Sequence, residues 1–244
     1  TDHDTLEGIE EARSSADRAG IELIPGTELS LDHQGGMHLI VLWLEPGPGP
    51  LQDRLAGLQL GREGRNAAIV GLLDGLGMPM SLEEVIEESG GGTVGRPHIA
   101  AVMMRKGYVE SINEAFDLWL GAAKPAYAPR PRLSPEEALG LARDSGGVPV
   151  LAHPHTLGIN RSHEMADLLD RLRSAGLVGL EAMCAAYQRH EREGYTDLAH
   201  RFGLIASGGS DYHGKYKPNL ELGIGYGDLS VPDVVVDELR AWVG

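Results

Sequence analysis

The chain is poor in cysteine and in positive charge. Its 244 residues include a single cysteine, Cys184, which excludes an internal disulfide framework and leaves histidine and carboxylate side chains for any metal site. Lysine and arginine together number 21 against 36 aspartate and glutamate, so the formal net charge is −15. This charge opposes nonspecific binding to duplex nucleic acid or to an anionic membrane. A single anionic group can still bind at a locally positive site such as a metal cluster.

Long apolar segments are also missing. No apolar run approaches the roughly 18 residues of a membrane-spanning helix, and no signal peptide is visible. These absences predict a cytoplasmic protein, unless a segment before Thr1 carries a targeting signal. The length suits one large domain, or one domain with an insertion. No interface signal in the sequence predicts an oligomeric state.

Strand and helix patterns alternate at both ends of the chain. Strands are predicted at residues 22–30, 37–44, 148–154, 177–183 and 204–211, and helices at 6–20, 134–147, 163–176 and 189–203. This β/α succession with short links favours a parallel sheet or barrel with an outer layer of helices. In such folds the catalytic groups gather at the C-terminal ends of the strands.

The middle of the chain breaks the alternation. After PGPGP at 46–50, residues up to 133 show several helical patterns and no convincing strand. We therefore predict a helical insertion (cap) domain at 50–125 and a barrel formed by residues 1–49 and 126–244. An insertion of this kind can cover a site.

Six polar residues lie at predicted strand ends or in the adjoining turns: His3, Glu28, His38, His153, Asp211 and His213. Such a set suits more than one divalent transition metal, because imidazole binds Zn, Fe or Mn and a carboxylate can bridge two ions. Any one of these residues alone is more often structural, for example a satisfied histidine or a helix-capping Asp. Their shared placement at strand ends favours a metal centre.

Five motifs carry a family resemblance. TDHDT, GTELS, HLIVL, AHPH and GSDYHG resemble, in order, the metal motifs of the polymerase and histidinol phosphatase (PHP) family of metal-dependent phosphoesterases. Residues 94–139 are similar to a branch that includes phosphatases of 3′,5′-bisphosphate nucleotides and a 5′-3′ exoribonuclease. The resemblance implies an α/β fold, a distorted (β/α)7 barrel with a helical insertion. It also implies two or three divalent metals, with Mn preferred over Fe or Zn.

The resemblance implies a role for each motif residue. Glu28 would bridge two metals, one of them bound also by Asp211, while His38 and His153 would complete a third position. A hydroxide held by the metals would attack phosphorus as the ions neutralise the developing charge, so no protein nucleophile is required.

The first motif carries the remaining ligands. His3 would ligate one metal and His213 could join it, while Asp4 would either orient His3 or cap the following helix. Family members begin with a strand ending in His-x-His, followed by an Asp, and this chain lacks those ligands. Either the first strand is missing from the chain or the metal site is naturally reduced. We favour the first account, because a barrel without that strand would expose an open parallel edge.

Cationic residues of the predicted insertion are candidates for substrate binding: Arg96, His98, Lys124 and Arg130. An arginine can donate two hydrogen bonds to a phosphate. The alternative is that Arg96 and Lys124 are surface groups beside helix ends.

The sequence therefore predicts a metal-dependent phosphoesterase that hydrolyses a phosphate ester of a nucleotide, such as a 3′,5′-bisphosphate nucleotide, or acts at an RNA 5′ end. A nucleotide or a single-stranded RNA end fits the negative charge better than duplex DNA does. One alternative is a noncatalytic module that binds a nucleotide or phosphate with a reduced metal site. Another is an amidohydrolase-like enzyme, which would need a lysine metal bridge or a different ligand order, and no lysine lies at a predicted strand end.

Overall fold

The computed structural model describes residues 1–33, 35–217 and 219–244, with the backbone alone at Lys215. These residues form two compact units, Thr1–Asp53 with Arg132–Gly244 and Arg54–Pro131. The sequence predicts the insertion at 50–125, a few residues away from the second unit at each end. Within the described residues, no helix combines the length and the apolar character needed to cross a membrane.

A six-stranded sheet organises the first unit. Its strands follow one another in chain order: β1 (Asp2–His3), β2 (Gly26–Ser30), β3 (His38–Leu42), β4 (Val148–Leu151), β5 (Gly179–Cys184) and β6 (Ile205–Gly209). β1 pairs with β2 in parallel, and β4, β5 and β6 are parallel to one another. The predicted α/β fold is confirmed, with a sheet that is mostly parallel.

Strand β3 corrects the expectation of a uniformly parallel sheet, since it runs antiparallel to both of its neighbours. The link between β2 and β3 is too short for a crossover helix, so the chain turns straight back. The turn is closed by the Leu31 amide, which donates to the Met37 carbonyl at 3.0 Å. The register pairs Ser30, the last residue of β2, with His38, the first of β3. The start of β3 therefore lies at the same edge of the sheet as the C-terminal ends of β2 and β4.

Nine helices are assigned within the described residues: α1 (Ile9–Ala19), α2 (Pro50–Gly75), α3 (Leu82–Ser89), α4 (Arg96–Arg105), α5 (Ile112–Ala115), α6 (Pro135–Asp144), α7 (Ser162–Ser174), α8 (Arg189–Arg201) and α9 (Val234–Arg240). Local chemistry fixes their ends. At the start of α6, the Ser134 hydroxyl accepts from the Glu137 amide at 3.2 Å, and Pro135 occupies the first turn. Helix α1 ends at Gly20, whose φ of 66° suits glycine.

The second unit has a core of its own. Apolar residues from α2, α3 and α4 and from the π-helical turn Phe116–Leu120 are buried together: Ile69, Leu73, Val85, Ile99, Met103 and Leu120. Between residues 54 and 131, all of them described, the chain forms helices and turns without a strand. This agrees with the helical patterns in the sequence.

One face of the sheet in the first unit is partly covered by α9. Val148 and Val150 of β4 pack with Val235 and Leu239 of that helix. Residues paired across a sheet project from the same face, and the side chains alternate along each strand. By this rule, Ile40, which pairs with Val150, lies on the covered face, and so does Glu28, which pairs with Ile40. Glu28 thus projects from the same face of the sheet as the apolar residues that pack against α9.

Candidate metal centre

Two groups of side chains at one edge of the sheet have the donor atoms of a metal site. One group is His3, Glu28 and His38, and the other is Glu28, His153 and Asp211. Within each group, one ligand atom from every residue lies within 4.8 Å of the others. Imidazole nitrogens and carboxylate oxygens are suitable ligands for divalent transition metals. The two groups fit metal ions by their chemistry, and they share Glu28.

The strand register explains why distant residues meet here. His3 pairs with Glu28 across β1 and β2, so the two side chains project from the same face. His38 lies on that face because it is two residues before Ile40, and it lies at this end of the sheet because β3 runs in the reverse direction. His153 follows the end of β4, and Asp211 follows the end of β6. A fully parallel sheet would have placed the start of β3, and therefore His38, at the opposite edge.

Glu28 is the centre of the contacts. Its side chain is buried, with the residue 7% exposed. Glu28 Oε1 lies 2.8 Å from His38 Nδ1 and 3.0 Å from His153 Nε2, and Glu28 Oε2 lies 3.8 Å from His3 Nε2. The two nitrogens on Oε1 are 3.3 Å apart. Three imidazoles therefore converge on one carboxylate.

This convergence shifts the acidity of its members. Burial by itself raises the pKa of Glu28, but the hydrogen bond with His153 and the positive charges of His3 and His38 outweigh it and hold that pKa well below its usual range. Burial lowers the pKa of His153, whereas the hydrogen bond and charge of Glu28 outweigh it and raise that pKa. The carboxylate stays ionised, and the imidazole holds its proton more tightly. A metal must displace that proton to bind the nitrogen.

The backbone at His153 is unusual and well supported. His153 has a φ of 22°, in the left-handed region that non-glycine residues rarely adopt. Its amide donates to Glu181 Oε2 at 2.7 Å, and its Nδ1 lies 3.1 Å from the Thr156 hydroxyl. The backbone amide and the Nδ1 atom of His153 are thus both held, while its Nε2 atom faces Glu28.

Sequence reasoning missed Glu181. It lies on β5, it is 4% exposed, and burial raises its pKa to about 7. The available signal was a carboxylate inside the otherwise apolar stretch LVGLEAM, because a charge is seldom buried without a partner. Glu181 lies within a strand and not at a strand end, and it reaches the site through the His153 amide.

His213 lies beside the two groups. Its Nδ1 is 2.7 Å from the backbone oxygen of Asp211 and 3.3 Å from Asp211 Oδ1. Its ring centroid is 6.2 Å from that of His3. The structure therefore brings His213 near His3 and Asp211, but His213 belongs to neither ligand group, and its role as a metal ligand stays a prediction.

Asp4 connects the first two strands. It is fully buried with a φ of 57°, its amide donates to the Glu28 carbonyl at 3.0 Å, and its Oδ1 accepts from the Ser30 amide at 3.1 Å. These bonds fix the backbone from the Glu28 carbonyl to the Ser30 amide, on both sides of Leu29. Its predicted role in orienting His3 stays a prediction.

The four cationic candidates belong to the second unit. Arg96 donates to the Leu120 carbonyl at 3.1 Å, and its guanidinium lies 5.5 Å from the centroid of the Phe116 ring. His98 Nδ1 accepts from the Gly95 amide at 2.9 Å, which closes the start of α4. Both residues therefore have structural contacts within this unit.

The other two candidates differ in exposure. Lys124 is exposed and Arg130 is half-buried. The substrate-binding role of Arg96, His98, Lys124 and Arg130 stays a prediction.

A mostly parallel sheet with imidazoles and carboxylates clustered at one edge is an arrangement of metal-dependent hydrolases. Curated relatives agree with this class. The chain is 30% identical to a 3′,5′-nucleoside bisphosphate phosphatase of Chromobacterium violaceum, over 91% of this chain and 79% of that protein. It is 29% identical to a 5′-3′ exoribonuclease of Haemophilus influenzae, over 87% of this chain and 77% of that protein. It is also 30% identical to a phosphoribosyl 1,2-cyclic phosphate 1,2-diphosphodiesterase of Eggerthella lenta, over 88% of this chain and 82% of that protein.

Solved structures extend the likeness to three dimensions. A crystal structure from Bifidobacterium adolescentis, assigned to the metal-dependent phosphoesterases, matches all of this chain and 84% of its own with a TM-score of 0.84 at 30% identity. A Chromobacterium violaceum structure named as an amidohydrolase, with bound sulfate and no metal, matches 99% and 84% of the two chains with a TM-score of 0.85 at 27% identity. No family profile matches the sequence. The chain belongs to the PHP family of metal-dependent phosphoesterases, and it is a hydrolase.

Proposed function

We propose that this protein hydrolyses a phosphate ester of a nucleotide, such as a 3′,5′-bisphosphate nucleotide, or of an RNA 5′ end. The observation that carries the proposal is the position of Glu28, which is a member of both ligand groups. A carboxylate shared by two groups can hold two cations close together, and paired cations suit phosphoester hydrolysis.

Five residues would hold divalent metal ions: His3, Glu28, His38, His153 and Asp211. Manganese is our first choice, with iron or zinc accepted by the same ligands. Bound divalent metals supply charge to stabilise the anionic transition state and to activate water. The protein holds Glu28 ionised among three imidazoles, and Glu181 and Thr156 fix His153 from both ends.

The charge of the chain and its relatives support the proposed substrate class. A formal net charge of −15 disfavours an extended polyanion along the surface, whereas one phosphate at a metal centre needs a positive site only locally. The relatives named above include a nucleoside bisphosphate phosphatase and an exoribonuclease. The C. violaceum structure contains sulfate, which has the shape of phosphate. These findings support a phosphate group as the part of the substrate that reacts.

We further propose that the sheet belongs to a distorted (β/α)7 barrel. The ring of His3, on β1, and that of His213, which follows β6, are 6.2 Å apart. β1 and β6 are the two outermost strands of the sheet. The short distance between these two rings therefore supports a strongly curved sheet whose outermost strands converge at the site.

The test is hydrolysis by the full chain after chelator treatment and reloading with Mn²⁺. We expect phosphate release from a 3′,5′-bisphosphate nucleotide or nucleotide release from a 5′-phosphorylated RNA. Glu28→Gln should remove this activity, while Glu10→Gln on the exposed face of α1 should keep it. Folded, metal-loaded protein that cleaves no phosphoester would contradict the proposal and favour a noncatalytic phosphate-binding module. Cleavage of amide substrates instead would favour the amidohydrolase alternative.

A further inference from the structure

Lys217 contacts a carboxylate of the candidate metal centre. Its ammonium group donates to Asp211 Oδ2 and lies 3.5 Å from the backbone oxygen of the same residue. The side chain of Lys217 is 40% exposed and that of Asp211 is 20% exposed. Asp211 therefore has two possible partners. It could bind a cation together with Glu28 and His153, and it is paired with Lys217.

The backbone brings this lysine back to the site. After β6 the chain passes Asp211, which has a φ of 50°, and forms a short 3-10 turn at Gly214–Tyr216. Lys217 follows the turn directly and so returns to the residue that began the loop. Its position is set by local chain geometry.

Two arginines of the first unit pair with carboxylates away from the ligand groups. Arg13 pairs with Glu45 at 2.5 Å, and Arg192 pairs with Asp228 at 3.0 Å. These pairs involve carboxylates that belong to neither metal group. The contact of Lys217 therefore differs in kind, because its partner is a candidate metal ligand.

A metal ion and the Lys217 ammonium would compete for the same carboxylate. Two positive charges in contact with one partly buried group repel each other more strongly than they would in water. A lysine has a flexible four-carbon stem, so its ammonium can move away while the backbone stays in place. An ammonium released beside a metal centre then lies where an anionic group of a substrate arrives.

We propose that Lys217 is a phosphate-binding residue, released from Asp211 when that carboxylate binds a metal ion and then paired with the phosphate of the substrate. The inference rests on the proposed function, since it names a further contact at the same site. The ligand is a phosphate monoester or inorganic phosphate, whose oxygens accept hydrogen bonds from the ammonium. The exchange also makes Lys217 a competitor of the metal.

Two affinities of the full-length Lys217→Met variant test this inference. Mn²⁺ affinity is measured by competition with a chelator, and inorganic phosphate affinity is measured by calorimetry on Mn²⁺-loaded protein. Loss of the competing ion pair should tighten Mn²⁺ binding by about 2- to 5-fold, the range of a part-exposed pair. Loss of the charged donor should weaken phosphate binding by roughly tenfold or more.

Two further variants act as controls. Lys217→Arg keeps the positive charge and should restore most of the phosphate affinity. Arg189→Met removes an exposed cation on α8, which pairs with Glu193 at 3.0 Å, and should change neither affinity.

Opposite shifts of the two affinities in Lys217→Met support the inference. Unchanged phosphate binding would overturn it, and so would weaker phosphate binding with unchanged or weaker Mn²⁺ binding, because the exchange at Asp211 would then be absent. The proposed function is judged separately by hydrolysis with the unaltered protein. Hydrolysis without the opposite shifts rejects only the role of Lys217, whereas opposite shifts without hydrolysis reject only the proposed function.

Discussion

Glu181 Oε2 accepts the backbone amide of His153 at 2.7 Å, and both residues are buried. The bond joins β5 to the end of β4 and holds His153 at its φ of 22°. Because Nε2 of the same histidine lies 3.0 Å from Glu28 Oε1, the position of a candidate ligand depends on a carboxylate outside both ligand groups.

Replacement of Glu181 should separate its hydrogen bond from its charge. Glu181→Gln keeps an oxygen that can accept the His153 amide, whereas Glu181→Leu leaves that buried amide without this acceptor, at a cost of about 1–3 kcal/mol. We expect Glu181→Leu to lower the melting temperature by ~3–10 °C and metal affinity by ~10- to 100-fold. Melting curves and chelator competition measure the two effects. Equal losses in both variants would show that the hydrogen bond is unimportant.

The charge of Glu181 predicts a pH dependence of stability. Burial raises its pKa to about 7, so the native state binds this proton more tightly than the unfolded chain does. The stabilisation is complete below the ordinary pKa of a glutamate and is lost as the pH rises from there to about 7. Glu181→Gln lacks this titration. Its free energy of unfolding, relative to that of the unaltered protein, should therefore increase with pH across this window, by at most ~1.4 kcal/mol per pH unit. A constant difference in chemical denaturation across the window would contradict the raised pKa.

Glu28 should control how many metal ions the protein holds. Gln at this position has one neutral oxygen in place of a carboxylate and cannot bridge two cations in the same way. We expect Glu28→Gln to reduce bound metal from about two ions per chain to about one or fewer, as measured by elemental analysis after dialysis. Glu10→Gln should retain the full content. A full metal content in Glu28→Gln would show that Glu28 does not bridge two metal ions.

Metal affinity should fall as the pH is lowered. His153 has a raised pKa, mainly because the hydrogen bond and charge of Glu28 outweigh the opposing effect of burial. Below that pKa a proton must leave for each metal bound at Nε2, so the apparent affinity should fall about tenfold per pH unit for each displaced proton. The decline should begin at a higher pH than for an ordinary histidine. Calorimetry in buffers of different ionisation enthalpy detects the released proton, and pH-independent binding would contradict the assignment.

His98 should contribute to stability as well as to any substrate contact. Its Nδ1 accepts from the Gly95 amide at the start of α4. His98→Ala should cost about 0.5–2 kcal/mol, the range of a lost helix cap, whereas Lys124→Met at an exposed position should stay within about ±0.5 kcal/mol. Denaturation measures both. If the predicted phosphate contacts exist, Lys124→Met should raise KM with kcat preserved, and an unchanged KM would remove Lys124 from the substrate site.

Much of the fold could be predicted because its signals are local. The β/α rhythm of the first unit follows from apolar periodicity, and the Ser-Pro-Glu-Glu start predicted at residue 134 is the N-terminus of α6 in the structure. The apolar pattern of β3 does not give its direction, because an apolar strand reads the same whichever way it pairs. The signal for the antiparallel direction is the short link from β2, which leaves no room for a crossover helix.

The sequence by itself determined which histidines and carboxylates are candidate metal ligands and in what order they occur. The spacing of such residues along a strand also fixes which side chains share a face. The sequence also determined the helical character of the second unit. The family resemblance already implied that Glu28 bridges two metals, and the structure places Glu28 in both ligand groups. Tertiary structure alone decided that Glu181 supports His153 and that Lys217 meets Asp211. Those contacts join residues from different elements, or close a loop on itself, so they depend on sheet register and turn geometry rather than on local residue pattern.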